Sequence, residues 1–370
     1  MRIGLNLLFL VPGIVGGTEV YAAGLLAGLA QIDSENEYVI FVNREAVAWS
    51  LPSVPNFNRV VCPVWATSRG KRYFFEQVHL PRLLKHFHVD VIHSLGYVAP
   101  LFPPCPSVVT VHDLNFRAFG SRMQLAKQWA LEFFVKQSVR CVDHVITVSE
   151  FARSQILFAF GISPGKITVT HEASSSAIVD LVDLTTALRR YGIDKPYIIA
   201  FSSSSPNKNI PRLVQAFVQA RRDYHLPHQL VLVGHKPHDK TPDESSAVVF
   251  IGYLDESSKQ ALLAGAEMLV FPSTYEGFGL PVLEAQQVGV PVVCSTAASL
   301  PEVAGEAAVF FNPYSIADMA KKISAVATNP ALRAELRQKG LANVRRFSWE
   351  QTARGTLAVY AQVYEMRRQP

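Results

Sequence analysis

The sequence predicts an α/β protein made of two doubly wound parallel sheets, and three observations carry that prediction. The chain has 370 residues, more than one ordinary core holds. Short, continuously apolar runs alternate with stretches whose apolar residues recur at spacings of three and four. The alternation breaks once, within residues 172–196, and then resumes. Continuous apolar strands separated by helices belong to parallel sheets covered on both faces. Two such series make two domains.

Taken in order, the strand candidates of the first series are "RIGLNLLFL", "EYVIFVN", "DVIHSL", "SVVTVHD", "HVITVS" and "KITVTH". "EVYAAGLLAGLAQI" between the first two has helical spacing. The second series is "PYIIAFSS", "QLVLVG", "AVVFIG", "EMLVFPS", "PVVCS" and "AAVFF". The opening "MRIGLNLLFLVPGIVGG" has the apolar look of a leader peptide. It holds Asn6, Pro12 and a single basic residue, and reads better as a buried strand.

Composition narrows the function. Hydrophobic residues make up 49% and charged residues 18%, with a net charge of +5. That is globular, with no demand for a nucleic-acid partner. No apolar stretch reaches the roughly 20 residues that span a bilayer. Cys62, Cys105, Cys141 and Cys294 are scattered. They form neither a CxxC pair nor a zinc pattern, which suggests a reducing, cytoplasmic compartment and no metal.

Ligands of open parallel sheets bind beyond the carboxyl ends of the strands, so the useful residues should follow strands. In "FPSTYEGFGLPVLEAQQVG" a strand gives way to a loop with Glu276, then to a helix with Pro281 near its start and Glu284 inside it. Gly277 and Gly279 allow close approach of backbone amides, and a helix start attracts anions. A carboxylate accepts paired hydroxyl hydrogen bonds. Amides for phosphate and acids for hydroxyls together describe a sugar nucleotide. On spacing alone, the simpler reading comes first: Glu276 is a loop charge and Glu284 a complement to the helix dipole.

"SSSSPNKNIPRL" places Ser204 and Lys208 between a strand and a helix expected to begin near Ile210–Pro211, with the serines and Asn207 as caps. A lysine there can neutralise a leaving diphosphate, or be a solvated loop residue. Gly16 and Gly17 lie between the first strand and first helix without a GxGxxG pattern, which argues against a nicotinamide site. His112 and Asp113 end a strand, while Glu76 and Gln77 read as a helix start, with capping or packing as the alternative to ligand contact. His93 and Ser149–Glu150 also follow strands. Arg69, Lys71, Arg72, Arg82 and Lys85 with Tyr73, Phe74 and Phe75 form one basic-aromatic segment, and Arg122, Lys127, Trp129, Phe133, Phe134, Lys136 and Arg140 another. Each reads as an amphipathic helix or as a face for anionic lipid.

"EGFGLPVLEA", followed by "GVPVVCS", "SLPEVAGEAAVFFNP" and "FSWEQTAR", resembles the retaining glycosyltransferases of family 4, which have the GT-B fold. So do "GGTEVYAAGLLAGL", "FFEQVHLP", "VHDLNF", "ITVSEFARSQI", "SSPNKNIPRLVQAF" and "VFIGYLDESSKQALLAGAEMLVFPS", so the resemblance runs over nearly the whole chain. It is similar to the subgroup containing bacterial mannosyltransferases of surface-polysaccharide assembly. The resemblance implies two Rossmann-like domains facing a cleft. The organisation expected is 1–178 and 179–351, with a helix over 352–370 packing back onto the first domain.

By the same resemblance, Glu276 would lie by the donor sugar and Glu284 would hold the ribose. The amides of Gly277, Phe278, Gly279 and Leu280 would contact sugar and phosphate, and Val282 and Leu283 would wall the nucleotide. Lys208 matches the phosphate-binding lysine. Gly16 and Gly17 would touch donor phosphate, His112 a sugar hydroxyl, and Asp113 would orient loops. Glu76 and Gln77 fall on the acceptor side. The chain departs from the wider family at Ser202 and Asn207, where arginines are usual. The implied reaction moves a hexose, with GDP-mannose favoured and a UDP-sugar as alternative, to a saccharide or lipid-linked acceptor. No cofactor is implied, and peripheral contact with an anionic membrane would suit such an acceptor. Two other readings share the fold: a sugar-nucleotide epimerase and a nonenzymatic sugar-nucleotide-binding protein.

Overall fold

The computed structural model describes residues 1–118, 125–174, 181–194, 196–235 and 247–367. Residues 175–180 and 195, within the expected join, therefore lie outside the described residues. The chain divides into two units: Met1–Ala173 together with Ser348–Pro370, and the intervening Ser174–Phe347.

The first unit holds β1 (Arg2–Leu7), β2 (Glu37–Val42), β3 (Phe57–Val61), β4 (Val91–Ser94), β5 (Ser107–Thr110), β6 (His144–Thr147) and β7 (Ile167–Val169). They form a parallel sheet in the order β3-β2-β1-β4-β5-β6-β7. Chain order reverses between β1 and β4, where Leu5 lies opposite both Ile40 and His93. The continuous apolar runs are explained by burial, since β4, β5 and β6 show water no residue. Sequence reading overlooks β3. This strand lies at the sheet edge with Asn58, Arg59 and Val61 exposed, so it lacks the apolar run that marks the others.

A helix over Arg69–Phe74 passes into a π-helical turn, Phe75–His79, and continues as Leu80–His86. Glu76 and Gln77, expected at a helix start, therefore sit inside a helical run. Pro81 accounts for the wide turn: it lacks the N–H that would bond Gln77 O and its ring crowds that carbonyl.

The closing helix, Trp349–Met366, returns to the first unit and packs on the first helix, Gly17–Ile32. It starts three residues earlier than expected, because Ser348 caps it and accepts Gln351 N at 3.1 Å. Gly24 and Gly28, one turn apart, make the seat for Trp349. A Cβ at Gly24 would fall 2.1 Å from the Trp349 ring, and one at Gly28 would fall 2.3 Å from its carbonyl oxygen. Deeper in, Tyr360 Oη lies 2.6 Å from His93 Nδ1, and Thr110 Oγ1 lies 2.7 Å from His93 Nε2. Burial pushes the His93 ring down to about 3, so it stays neutral. His93 thus fastens the closing helix to the sheet and is not a ligand-facing group.

The second unit holds β8 (Tyr197–Ser202), β9 (Gln229–Gly234), β10 (Val248–Ile251), β11 (Met268–Phe271), β12 (Val292–Ser295) and β13 (Ala308–Phe311). Their order is β10-β9-β8-β11-β12-β13, all parallel. One face is covered by Ile210–Tyr224 and Ile316–Ala327, which bring Leu213, Phe217, Met319 and Ile323 onto Ile198, Leu232 and Val270. Among the described residues, no helix is long and apolar enough to cross a membrane.

Candidate functional site

Chain order in the second sheet reverses between β8 and β11. Diverging connections at such a point leave a crevice beyond the strand ends. Two loops meet there. After β8 the chain makes a tight turn at Pro206–Lys208, and Asn209 takes a left-handed φ of 55° before the helix Ile210–Tyr224 begins. The loop after β11 runs from Pro272 to Gly279.

Side chains of the first loop stitch the two together. Asn207 Nδ2 donates to Tyr275 O at 2.8 Å, and Thr274 N donates to Asn207 O at 2.8 Å. Asn209 Nδ2 donates to Pro272 O at 3.2 Å and Pro313 O at 2.8 Å. This corrects the expected capping. Asn209 occupies the cap position without a side-chain cap bond, while the Asn207 amide braces the neighbouring loop. Ser204 is exposed on the same loop.

The stitching brings Lys208 to Glu276. Lys208 Nζ lies 2.7 Å from Glu276 Oε1 and 5.0 Å from the centre of the Phe271 ring. Ser299 Oγ holds the loop from behind, within 3.0 Å of Glu276 O and 2.6 Å of Phe278 O. Gly277, Phe278, Gly279 and Leu280 are buried along this turn. At Gly279 only glycine serves, because its φ is 114° and a Cβ would meet Leu300 at 2.8 Å. The helix Leu280–Gln287 begins there, with Pro281 in its first positions, so its positive dipole end follows Glu276 closely along the chain.

Glu284 has its own cation. Lys259 Nζ is 3.2 Å from Glu284 Oε1 and 2.9 Å from Glu256 Oε1. Burial pushes the Glu284 carboxyl up, against the pull of Lys259. Lys259 is missing from the sequence reading; it is half-buried, one turn before the buried Leu262 and Leu263 of Glu256–Gly265. Ser202, which stands where the wider family has arginine, ties off the sheet. Its Oγ donates to His235 O at 2.6 Å, and the backbone of Gly234 packs on its carbonyl.

The remaining expected residues lie in the first unit. Gly16, with φ 60°, precedes the first helix and Gly17 opens it. His112 Nδ1 is 3.2 Å from Glu172 Oε1, and its Nε2 is 3.2 Å from Leu95 O. A hydroxyl ligand would share or displace one of these contacts. Glu172 is a second residue that sequence reading omits, since a lone acid after β7 carries no pattern. Asp113 Oδ1 accepts Tyr97 Oη–H and Asn115 N, both at 3.1 Å, and so shapes its loop. Gln77 brackets residues 99–101, donating to Ala99 O at 3.1 Å and accepting Leu101 N at 2.9 Å. Glu76 is buried, within 3.4 Å of Asn6 Nδ2, and burial holds its carboxyl above the usual range. Ser149 caps the helix Glu150–Phe160, accepting Ala152 N at 3.0 Å.

Two family models match this chain. "Glycosyltransferase Family 4" covers residues 15–173 and "Glycosyl transferases group 1" covers 187–342. The chain belongs to glycosyltransferase family 4. This glycosyltransferase is 29% identical to O-antigen chain mannosyltransferase B of Escherichia coli, over 69% of this chain and 70% of that one. It is 32% identical to the MMP alpha-(1->4)-mannosyltransferase of Mycolicibacterium hassiacum, over 69% of this chain and 65% of that one. Sucrose-phosphate synthase from Thermosynechococcus elongatus shares the GT-B fold, with a TM-score of 0.73 at 19% identity over 99% of this chain and 100% of that one.

Proposed function

We propose that this family-4 glycosyltransferase moves mannose from a nucleoside-diphosphate sugar, GDP-mannose in the first instance, to a saccharide or lipid-linked saccharide with retention at the anomeric carbon. The observation that carries the proposal is the Lys208–Glu276 pair, 2.7 Å apart at the strand-order reversal and beside a helix start. A cation and dipole for the diphosphate adjoin a carboxylate for the hexose. The matched mannosyltransferases support the choice of sugar.

As the glycosidic bond lengthens, negative charge grows on the departing diphosphate, where Lys208 and the helix dipole meet it. No metal is given a role in this reading. The acceptor attacks from the face the diphosphate leaves, and a leaving phosphate oxygen takes its proton. Glu276 holds hexose hydroxyls and Glu284 the ribose. His112 and the Gly16–Gly17 turn remain assigned to the donor, and Glu76 to the acceptor side.

A thermal-shift screen with GDP-, UDP- and dTDP-sugars tests the proposal. A ligand at 100 times its Kd stabilises the native state by about 2.7 kcal/mol. GDP-mannose is expected to raise the midpoint most. A response to none of the three would end the sugar-nucleotide reading, and a response to UDP-glucose alone would replace the donor.

The reading extends to the cytoplasmic face of a membrane. Arg69, Lys71 and Phe74 are exposed, as are Trp129, Phe133 and Arg140 on the helix that Tyr73 joins by packing its ring, tilted by 41°, against Phe134 at 4.7 Å. Tyr73, Phe75 and Arg72 turn inward. Arg122 lies outside the described residues, as does the Lys127 side chain. The protein is expected to float with anionic vesicles at low salt and to be released by salt. Failure to float at low salt removes the membrane from the reading.

A further inference from the structure

Lys259 is an ammonium brought to a nearly buried carboxylate. Its helix, Glu256–Gly265, is capped by Asp255, which accepts Ser258 N at 2.8 Å. The cap fixes the first turn, where Lys259 projects toward the helix Leu280–Gln287. Lys259 Nζ touches two acids of different kinds: Glu256 is 67% exposed, whereas Glu284 is 14% exposed. Water can solvate Glu256 without help. Glu284 has lost most of its water, so its charge depends on the cation beside it. Burial opposes the Lys259 charge too, but Glu284 and Glu256 outweigh that, and the ammonium is held above its usual range. The other groups acting on Glu284 are Glu256, which raises its carboxyl further, and Lys208, which lowers it.

We propose that Lys259 is a positioning residue for the donor: it keeps Glu284 ionised and aimed, leaving lone pairs of the carboxylate to accept the two ribose hydroxyls. This rests on the reading of Glu284 as the ribose carboxylate. A carboxylate accepts at both oxygens, whereas a carboxylic acid spends one of them on a proton. Without Lys259, Glu284 would bind its proton at higher pH, and nucleotide affinity would follow its titration. The weakness should be greatest at low pH and fade as the pH rises.

Calorimetric titration of the full chain with GDP, from pH 6 to 9, tests this. Lys259→Met is expected to bind GDP about tenfold more weakly at pH 6, the effect of roughly one unit of displaced titration. Its affinity should approach that of the parent by pH 9. Lys259→Arg should stay within about threefold throughout, because it restores the cation. In a Glu284→Gln background, Lys259→Met should add less than about twofold, since coupled residues do not add. Should Lys259→Met fail to fold, Lys259→Gln serves in its place, and the arginine variant still reports on charge. Parent-like affinity in Lys259→Met at every pH, with Glu284→Gln weakened, would overturn the role of Lys259 and leave Glu284 in place. A loss equal at all pH values and persisting beside Glu284→Gln would overturn it in favour of direct ligand contact. Unchanged affinity in Glu284→Gln would remove the ribose reading, and the Lys259 proposal with it.

Discussion

Glu276→Ala is expected to lower turnover by about 10²–10³-fold, the usual cost of one preorganised polar contact in a transition state. On the proposed reading the carboxylate serves twice. Its Oε1 holds Lys208 Nζ at 2.7 Å on the loop that follows β11, beside the strand-order reversal, and the group also takes the hexose hydroxyls. On that reading, removing it would take away the hexose anchor and free the ammonium that is to meet the diphosphate. The fold should not suffer, because the loop is held through backbone carbonyls by Ser299 and by Asn207. Glu276→Gln separates the two duties, since an amide still bonds hydroxyls but loses the attraction for Lys208. Both variants should keep their affinity for the bare nucleoside diphosphate within a few-fold, so the loss should fall on kcat more than on KM. Single-turnover transfer with unchanged rate in Glu276→Ala would remove its assigned role.

Gly28→Ala is expected to destabilise the first unit by about 1–3 kcal/mol, the range for overpacking a closed contact. An added methyl would lie 2.3 Å from the Trp349 carbonyl oxygen. A backbone atom cannot rotate aside as a side chain can, so the two helices must part. Helix propensity acts in the other direction by about 1 kcal/mol, which makes the sign of the result informative. Gly70→Ala is the control: nothing lies within 4 Å of its missing Cβ, so it should be neutral or mildly stabilising. Urea unfolding gives the free energies, and limited proteolysis should cut the closing helix first in Gly28→Ala. A net gain in stability at Gly28 would show that the helices do not meet as described.

The sequence makes most of the scaffold legible because parallel strands are buried on both faces and therefore uniformly apolar. The edge strand β3 escapes for the opposite reason, with Asn58, Arg59 and Val61 turned to water. The start of the closing helix was readable, since Ser348 and Gln351 stand at capping-box spacing. Of the site, Lys208, Glu276 and Glu284 follow strands that periodicity locates. The structure places them at one end of one sheet, with each acid on a lysine. Lys259 and Glu172 belong to other loops and helices, and each meets its partner within its own unit, Glu284 and His112 respectively, only through strand order, which periodicity does not give. His93 shows the reverse case. Its expected place after a strand suggests a ligand, yet the structure puts it inside β4, where Tyr360 of the closing helix occupies it.

That far end has a consequence for synthesis. Residues 349–366 complete the covering of the unit that residues 1–173 begin, whereas the unit between them is contiguous. A nascent chain can finish its later half while the earlier half still lacks its last helix. The part made first is completed only after its neighbour, so the exposed floor under Gly24 and Gly28 must stay clear of misassociation until residues 349–366 have been made.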